Sequence, residues 1–424
     1  MTMSPDHTCP VPAQVDPGTD TDTDTDTGTD TGTDTGSYWP AVTAVALSAT
    51  VAVMPGFALG AMAGPIQADL HISGTTLGLA MSVFYAATAL GSPITRRLAR
   101  RFPTPAVLAT SAVTAAAAMA VISQIHALPG LFSVLVVAGV ANGLVQPAAG
   151  RVIAMRVPAR RRSLAAGIVG AALGAATFIP GLLVTFVVEP HGWRAAMLIA
   201  AFIALAVVVL APLAQAPGSS SVSALRPAVT GTAATIPPAA VLRRVLPLWA
   251  LAAALSATGN NAVASYFVQL GHHAGLATAL TGNLLSAGAL IAVAVRVSVG
   301  LATDRAPHHN PAVVTAMMSV GAIGLALIAS GTAAGFVIGA ILAFSAGWGW
   351  TGLLLATTLR LVPGRAELAG HTVQTGLYTG AAVAPFTFSA LSTAFSFGTA
   401  SLLAAAAGLT AAVLLAGGAK LLRR

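Results

Sequence analysis

The sequence predicts an all-α membrane protein of twelve transmembrane helices in two six-helix bundles, with both termini in the cytoplasm. Three observations carry that prediction. The composition suits lipid rather than water, apolar runs about one bilayer long recur along the chain, and arginine-rich loops alternate with arginine-poor ones.

Composition comes first. Hydrophobic residues make up 56% of the chain and charged residues 8%, with a mean hydropathy of +0.84. Soluble domains carry roughly 25% charged residues, so no water-facing surface can be built from this chain, whereas helices that satisfy their own backbone groups in lipid can be. Eight of the twelve acidic residues fall in the first 36 positions, leaving Asp69, Glu189, Asp304 and Glu367 for the rest. The pI near 10.9 raises nucleic acid as a partner. The basic residues, however, sit in short clusters between apolar runs, as in loops facing anionic lipid, and no nucleic-acid-binding signature accompanies them. Cys9 is the single cysteine, which excludes intramolecular disulfides and thiolate metal sites. No cofactor or metal is expected.

Residues 1–38 form an acidic tail dominated by a Thr-Asp repeat, too poor in apolar residues to offset the entropy of ordering it. It has neither the basic start nor the apolar stretch of a secretory leader. Apolar runs follow near 41–63, 75–95, 104–123, 131–152, 164–187 and 193–213, then 246–269, 278–300, 311–330, 333–358, 368–391 and 395–417. Each is long enough to span a bilayer core. The Pro-, Ser- and Thr-rich stretch 214–245 separates them six and six, giving bundles over 39–213 and 246–424 joined by a linker.

Orientation follows from the basic residues. Arg96, Arg97, Arg100 and Arg101 follow span 2, and Arg156, Arg160, Arg161 and Arg162 follow span 4. Arg226, Arg243 and Arg244 lie in the linker, Arg305 follows span 8, Arg360 and Arg365 follow span 10, and Lys420, Arg423 and Arg424 end the chain. These seventeen of twenty fall on one side, which the positive-inside rule makes cytoplasmic. Only Arg194 is clearly placed across the membrane, and Arg151 and Arg296 fall inside spans.

Polar side chains obey a second period. Spans 3, 6, 9 and 12 hold no Asn, Gln, His or charged residue except Arg194 at the mouth of span 6. Asn142, Gln146 and Arg151 lie in span 4, Asn260, Asn261 and Gln269 in span 7, Asn283 and Arg296 in span 8, and His371 and Gln374 in span 11. Every third helix is thus built for lipid, which suggests three-helix units repeated four times.

Short motifs fall at the span ends. Gly300-Leu-Ala-Thr-Asp304-Arg305 closes span 8, and the corresponding place after span 2 has Gly91-Ser-Pro-Ile-Thr95-Arg96-Arg97, with Thr95 where an acid would stand. Gly170 and Gly174 precede Pro180-Gly181 in span 5, and Gly192-Trp193-Arg194 opens span 6. Through these motifs the chain resembles the major facilitator superfamily from about residue 40 to 420. Gly347-Trp-Gly-Trp350-Thr-Gly352 and Gln374-Thr-Gly376 look most like its bacterial cyanate/nitroimidazole-type transporters. The resemblance implies a multi-pass secondary transporter of the cytoplasmic membrane, with spans 1, 4, 7 and 10 lining the path. It also implies a cytoplasmic gate in which Asp304 and Arg305 face the start of span 5 near Arg161, while Glu367 takes the place of the acid missing at Thr95.

Arg296 is the sharpest candidate for a binding residue. It lies eight residues inside Asp304, on a face with Ala289, Ala292 and Gly300. An arginine so placed either serves the site or snorkels and bonds backbone carbonyls. Arg151, five residues from Arg156, fits the structural role better. Thr258, Asn261, Ser265 and Gln269 make one stripe on span 7, either a cavity wall or an interhelical hydrogen-bonding seam. His371, Gln374 and Tyr378 make another on span 11, and Trp348 and Trp350 lie in mid-span, for stacking on a substrate or plain packing. Asn142 and Gln146 complete the expected substrate contacts with Arg296, Asn261, Ser265, Gln269, Trp348 and Gln374.

No Asp or Glu lies in the apolar core of any span. Exchange of a cation for a proton needs an intramembrane carboxylate, so the electrostatics favour a small anion, moved by alternating access with a proton as candidate coupling ion. Efflux of hydrophobic or drug-like compounds is the alternative. No HExxH, GxSxG or acidic pair supports an enzyme, and the chain is expected to work as a monomer.

Overall fold

The computed structural model describes residues 37–158, 161–215, 239–303, 309–361 and 366–423. Among these residues there is no β-strand. The tail 1–36, most of the 214–245 linker, Asp304, Arg305 and Arg160 lie outside the described residues.

The first run of helices comprises α1 (Trp39–Ala61), α2 (Ala63–Leu70), α3 (Gly74–Arg101), α4 (Thr104–Ile122), α5 (Leu128–Asn142) and α6 (Val145–Arg156). Then come α7 (Arg162–Ala175), α8 (Phe178–Leu183), a π-helical turn at Val184–Val188, α9 (Glu189–Val208) and a 3₁₀ turn at Ala211–Ala214. The second run is α10 (Ala239–Ser265), α11 (Phe267–His273), α12 (Thr278–Thr303), α13 (Asn310–Ile328), α14 (Ala333–Leu342), a π-helical turn at Ala343–Gly347, α15 (Trp348–Leu361), α16 (Ala366–Ala394) and α17 (Phe397–Arg423).

Ten helical stretches among the described residues are long and apolar enough to cross a membrane. One of them, Leu164–Val208, has 45 residues. At 1.5 Å per residue it would measure roughly 68 Å, over twice a bilayer core. Gly192 breaks it at φ 79°, ψ 166°, a backbone state that L side chains avoid. The 29-residue α16 is not among the ten.

Packing follows the distribution of small residues. α1 is the most enclosed of the ten stretches, with 83% of its apolar core buried against 39% for α17. α10 runs along α16 so closely that a Cβ on Gly376 or Gly380 would strike the carbonyls of Ala250 and Ala254. Such approach of backbones is how apolar helices associate in lipid. Large exposed apolar side chains stand on α9 (Phe202), α13 (Ile323) and α17 (Val413), the helices predicted to face lipid.

The two runs meet along α3 with α16 and along α7 and α8 with α12. Toward the end of the molecule that carries Asp69 the contacts are tight. Tyr266 and Ser389 lie against Gly78, and Ser265 lies against Gly60. The Phe386 N–H donates to Ser82 Oγ at 3.0 Å, Thr185 Oγ1 to the Ala279 carbonyl at 3.0 Å, and Ser286 Oγ to the Phe178 carbonyl at 2.9 Å.

Candidate functional site

The site is assembled beside a helical run that departs from ideal geometry. The π turn Ala343–Gly347 interrupts the run from α14 to α15, and such turns leave backbone groups free for side chains. Asn260 of α10 donates its amide N–H to the Gly347 carbonyl, and Trp348 Nε1 donates to the Asn260 carbonyl at 3.2 Å. Gly347 makes this possible, since a Cβ there would lie 2.9 Å from Asn260 Oδ1.

Arg296 of α12 is buried on the face it shares with the fully buried Ala289 and Ala292. Its Nε and Nη2 donate to the Trp348 carbonyl at 2.9 and 2.7 Å, and Nη1 donates to the Gly170 carbonyl of α7. The guanidinium carbon stands 5.6 Å from the centre of the Trp348 ring, within cation–π range. Gly174, one turn along α7, leaves room for the guanidinium, because a Cβ there would come within 3.4 Å of Nη1. One arginine therefore bonds backbone of both runs of helices. It has five N–H donors in total, and the three bonds to carbonyls leave it positively charged.

These residues line a central cavity with about 800 Å³ of atom-free space, including solvent at its mouth. The wall draws on α1, α3, α5, α6, α7, α10, α12, α15 and α16, and on none of α4, α9, α13 or α17. Those four are the helices predicted as spans 3, 6, 9 and 12. Among the described residues lining the cavity, Arg296 is the one charged side chain and none is a carboxylate. Aromatic rings cover one side. Phe57 is 5.6 Å from Trp348 and 6.1 Å from Tyr85, centre to centre. Asn142 Nδ2 donates to Thr88 Oγ1 at 3.2 Å, and that hydroxyl donates to the Gly139 carbonyl at 2.9 Å. Two buried polar atoms of lining residues have no partner: the Tyr85 hydroxyl and the Trp350 indole N–H.

Of the residues singled out from the sequence, the cavity brings together Arg296, Asn261, Trp348, Asn142 and Gln146. It does not include Ser265, Gln269 or Gln374. α10 ends at Ser265, and Tyr266 leaves helical geometry at φ −116°, ψ 20°, so a stripe drawn on an ideal helix does not continue beyond it. Ser265 packs against Gly60, and both Ser265 Oγ and Gln269 Oε1 are buried without a partner. Gln374 hydrogen-bonds Tyr378, which does line the cavity. Sequence reasoning passed over Tyr85, Thr88 and Phe57. A faint signal existed for two of them, since Ser82, Tyr85 and Thr88 form a polar stripe at helical spacing on α3.

Arg151 lies apart from the cavity and caps α3, donating to the carbonyls of Ala99, Arg100 and Phe102 at 2.8–3.2 Å. A cation closing the C-terminal carbonyls of a helix is a structural device. Arg194 bonds Asp69 at 2.7 Å and the carbonyls of Ser123 and Ile125, with His126 Nδ1 at 3.2 Å, clasping three connections at one end. Of the gate residues, Asp304 and Arg305 lie outside the described residues, as does the side chain of Glu367. Arg161 is exposed at the start of α7.

An all-helical chain crossing the bilayer several times, with a largely apolar cavity holding one buried arginine at the meeting of its two runs of helices, is a multi-pass membrane protein built to pass a solute. The sequence profile of the Major Facilitator Superfamily matches residues 45–385, most of the chain. The chain belongs to that superfamily and is a membrane transporter of small molecules. A comparison with curated proteins finds no match.

Proposed function

We propose that this transporter is a secondary carrier of a small anion, working by alternating access in the cytoplasmic membrane with both termini inside. Twelve crossings in two six-helix bundles, 39–213 and 246–424, follow when the stretch broken at Gly192 is counted twice and α16 is added. Arg296 carries the proposal for the substrate. It is the sole charge on the described wall, and a lone cation in a cavity of low dielectric attracts an anion and repels a cation. Asn261, Asn142, Gln146 and Trp348 share the cavity and would contact the solute.

The conformation fits a carrier sealed at the Asp69 end, which the positive-inside rule makes external. The tight contacts between the two runs, Gly60 with Ser265 and Thr185 with Ala279, gather between the cavity and that end. At the other end Arg296 holds Gly170, and beyond it α12 and α7 lead to Asp304, Arg305 and Arg161, our proposed gate with Glu367. A second reading, export of hydrophobic compounds, draws on the aromatic and aliphatic share of the same wall. Thermal stabilisation of the purified chain by nitrate, cyanate and benzoate, against tetraphenylphosphonium and uncharged solutes, separates the two. The anion reading predicts stabilisation by at least one anion, lost in Arg296→Ala and partly kept in Arg296→Lys. Stabilisation by tetraphenylphosphonium alone would replace it with the export reading.

A further inference from the structure

Hydrogen bonds fix which way two carboxamides on the cavity wall face. Asn261 Nδ2 donates to the Ala257 carbonyl at 3.0 Å, and a carbonyl can only accept, so the nitrogen end of that amide is turned to its own helix. Asn142 Nδ2 donates to Thr88 Oγ1 at 3.2 Å. The Thr88 hydroxyl has one hydrogen, and the carbonyls of Gly139 at 2.9 Å and Phe84 at 3.1 Å compete for it. Toward Asn142 it can therefore only accept. Either amide, turned over by half a turn, would set an oxygen against an acceptor.

The oxygen end of each amide is the end left over. Among the described residues neither Asn142 Oδ1 nor Asn261 Oδ1 has a hydrogen-bond partner. Both residues are half-buried, both line the cavity, and neither oxygen is among the fully buried unpaired atoms, so both oxygens are accessible. Gln146 and Thr351 on the same wall can each donate or accept and select neither way. The amides come one from each run of helices, Asn142 from α5 and Asn261 from α10, and Arg296 bonds backbone of both runs. A cation and two oriented acceptors thus face one cavity. An anion without hydrogens, such as nitrate, satisfies the cation and brings only further acceptors to the amides. A solute that displaces water from an acceptor without replacing its hydrogen bond loses affinity. An ammonium donor would set a second cation beside Arg296 where no described carboxylate offsets it. Hydroxyl donors carry no such cost.

We infer that the cavity takes a hydroxycarboxylate, an organic anion bearing its own hydroxyl donors, and that Asn142 and Asn261 are specificity-determining residues that accept from those hydroxyls. This rests on the anion reading and deepens it. Hydrogen-bonding sites discriminate against analogues that lack the bonded group, because the site is then left unpaired.

The test measures binding of 2,3-dihydroxypropanoate, 2-methylbutanoate and nitrate by the purified full chain. The first two share charge and shape, each hydroxyl of one being a methyl group of the other. The expected result is 2,3-dihydroxypropanoate binding at least about fivefold more tightly than 2-methylbutanoate, the worth of two modest hydrogen bonds. Asn142→Leu and Asn261→Leu should each shrink that ratio about threefold, and the double variant should reverse it, since the rest of the wall favours methyl groups. Equal affinity in the native chain, or tighter 2-methylbutanoate, overturns the inference even where a variant fails to fold. A ratio unchanged in either folded single variant removes that residue from the role, and unchanged in both it overturns the inference. Binding of nitrate and 2-methylbutanoate that depends on Arg296, with no dihydroxy acid bound, overturns this inference and leaves the anion reading standing. Failure of all three anions removes both.

Discussion

Gly60→Ala should open the Asp69 end of the transporter. Gly60 sits where α1 passes α10, and a Cβ built there meets the Ser265 carbonyl and lies 2.8 Å from the Ser265 Cα. Both are backbone atoms, so no side chain can swing aside. Overpacking of this kind costs about 1–3 kcal/mol. If the two runs separate at this end during transport, the cost applies only to the closed state. The closed-to-open ratio then falls roughly five- to 150-fold, at 1.4 kcal/mol per factor of ten. The assay uses a chain with Cys9 replaced and a single cysteine at Thr351 in the cavity, exposed to an impermeant maleimide outside intact cells. Labelling should be slow in the parent and at least about five times faster with Gly60→Ala. Gly64→Ala is the control, since nothing lies within 4 Å of a Cβ there. Unchanged labelling in a well-folded Gly60→Ala protein would show that this contact is not part of a moving interface.

Further outcomes follow from the same geometry. Single cysteines at His126 and Ser330 should react with impermeant reagent in intact cells, whereas one at Ser219 should react only after permeabilisation; the reverse would invert the proposed topology. Arg194→Ala should lower stability by about 1–3 kcal/mol in thermal unfolding, because it strands the carbonyls of Ser123 and Ile125. Asp69→Asn should cost about 1 kcal/mol or less, since with side chains 30% and 44% exposed the ion pair is largely screened. Arg151→Ala should lower stability by about 1 kcal/mol through loss of the α3 cap and leave anion binding unchanged. Altered ligand affinity there would place Arg151 in the transport path.

The helices were legible because lipid imposes length and composition together. The predicted runs 75–95 and 278–300 correspond to Gly74–Arg101 and Thr278–Thr303, and the first extends further because arginine ends a hydrophobic run without ending a helix. The three-helix period in polar residues anticipated which helices contribute to the cavity. Arg296 was visible because a charge in an apolar run has few places to go. Its partners were not, since the carbonyls of Gly170 and Trp348 belong to backbone 126 and 52 residues away and have no side-chain signature. The break at Tyr266 also lacks a sequence signal strong enough to rotate a helical wheel, so Gln269 was grouped with Asn261. Tyr85 and Phe57 escaped notice because an aromatic residue in an apolar span looks the same whether it faces core or cavity.

Uptake of labelled anions into liposomes containing the purified chain tests the central claim most directly. The account predicts accumulation of at least one small anion above protein-free liposomes, abolished by Arg296→Ala in protein that still elutes as a single folded species. Selective uptake of a lipophilic cation with no anion moved, or full anion uptake by Arg296→Ala, would contradict it.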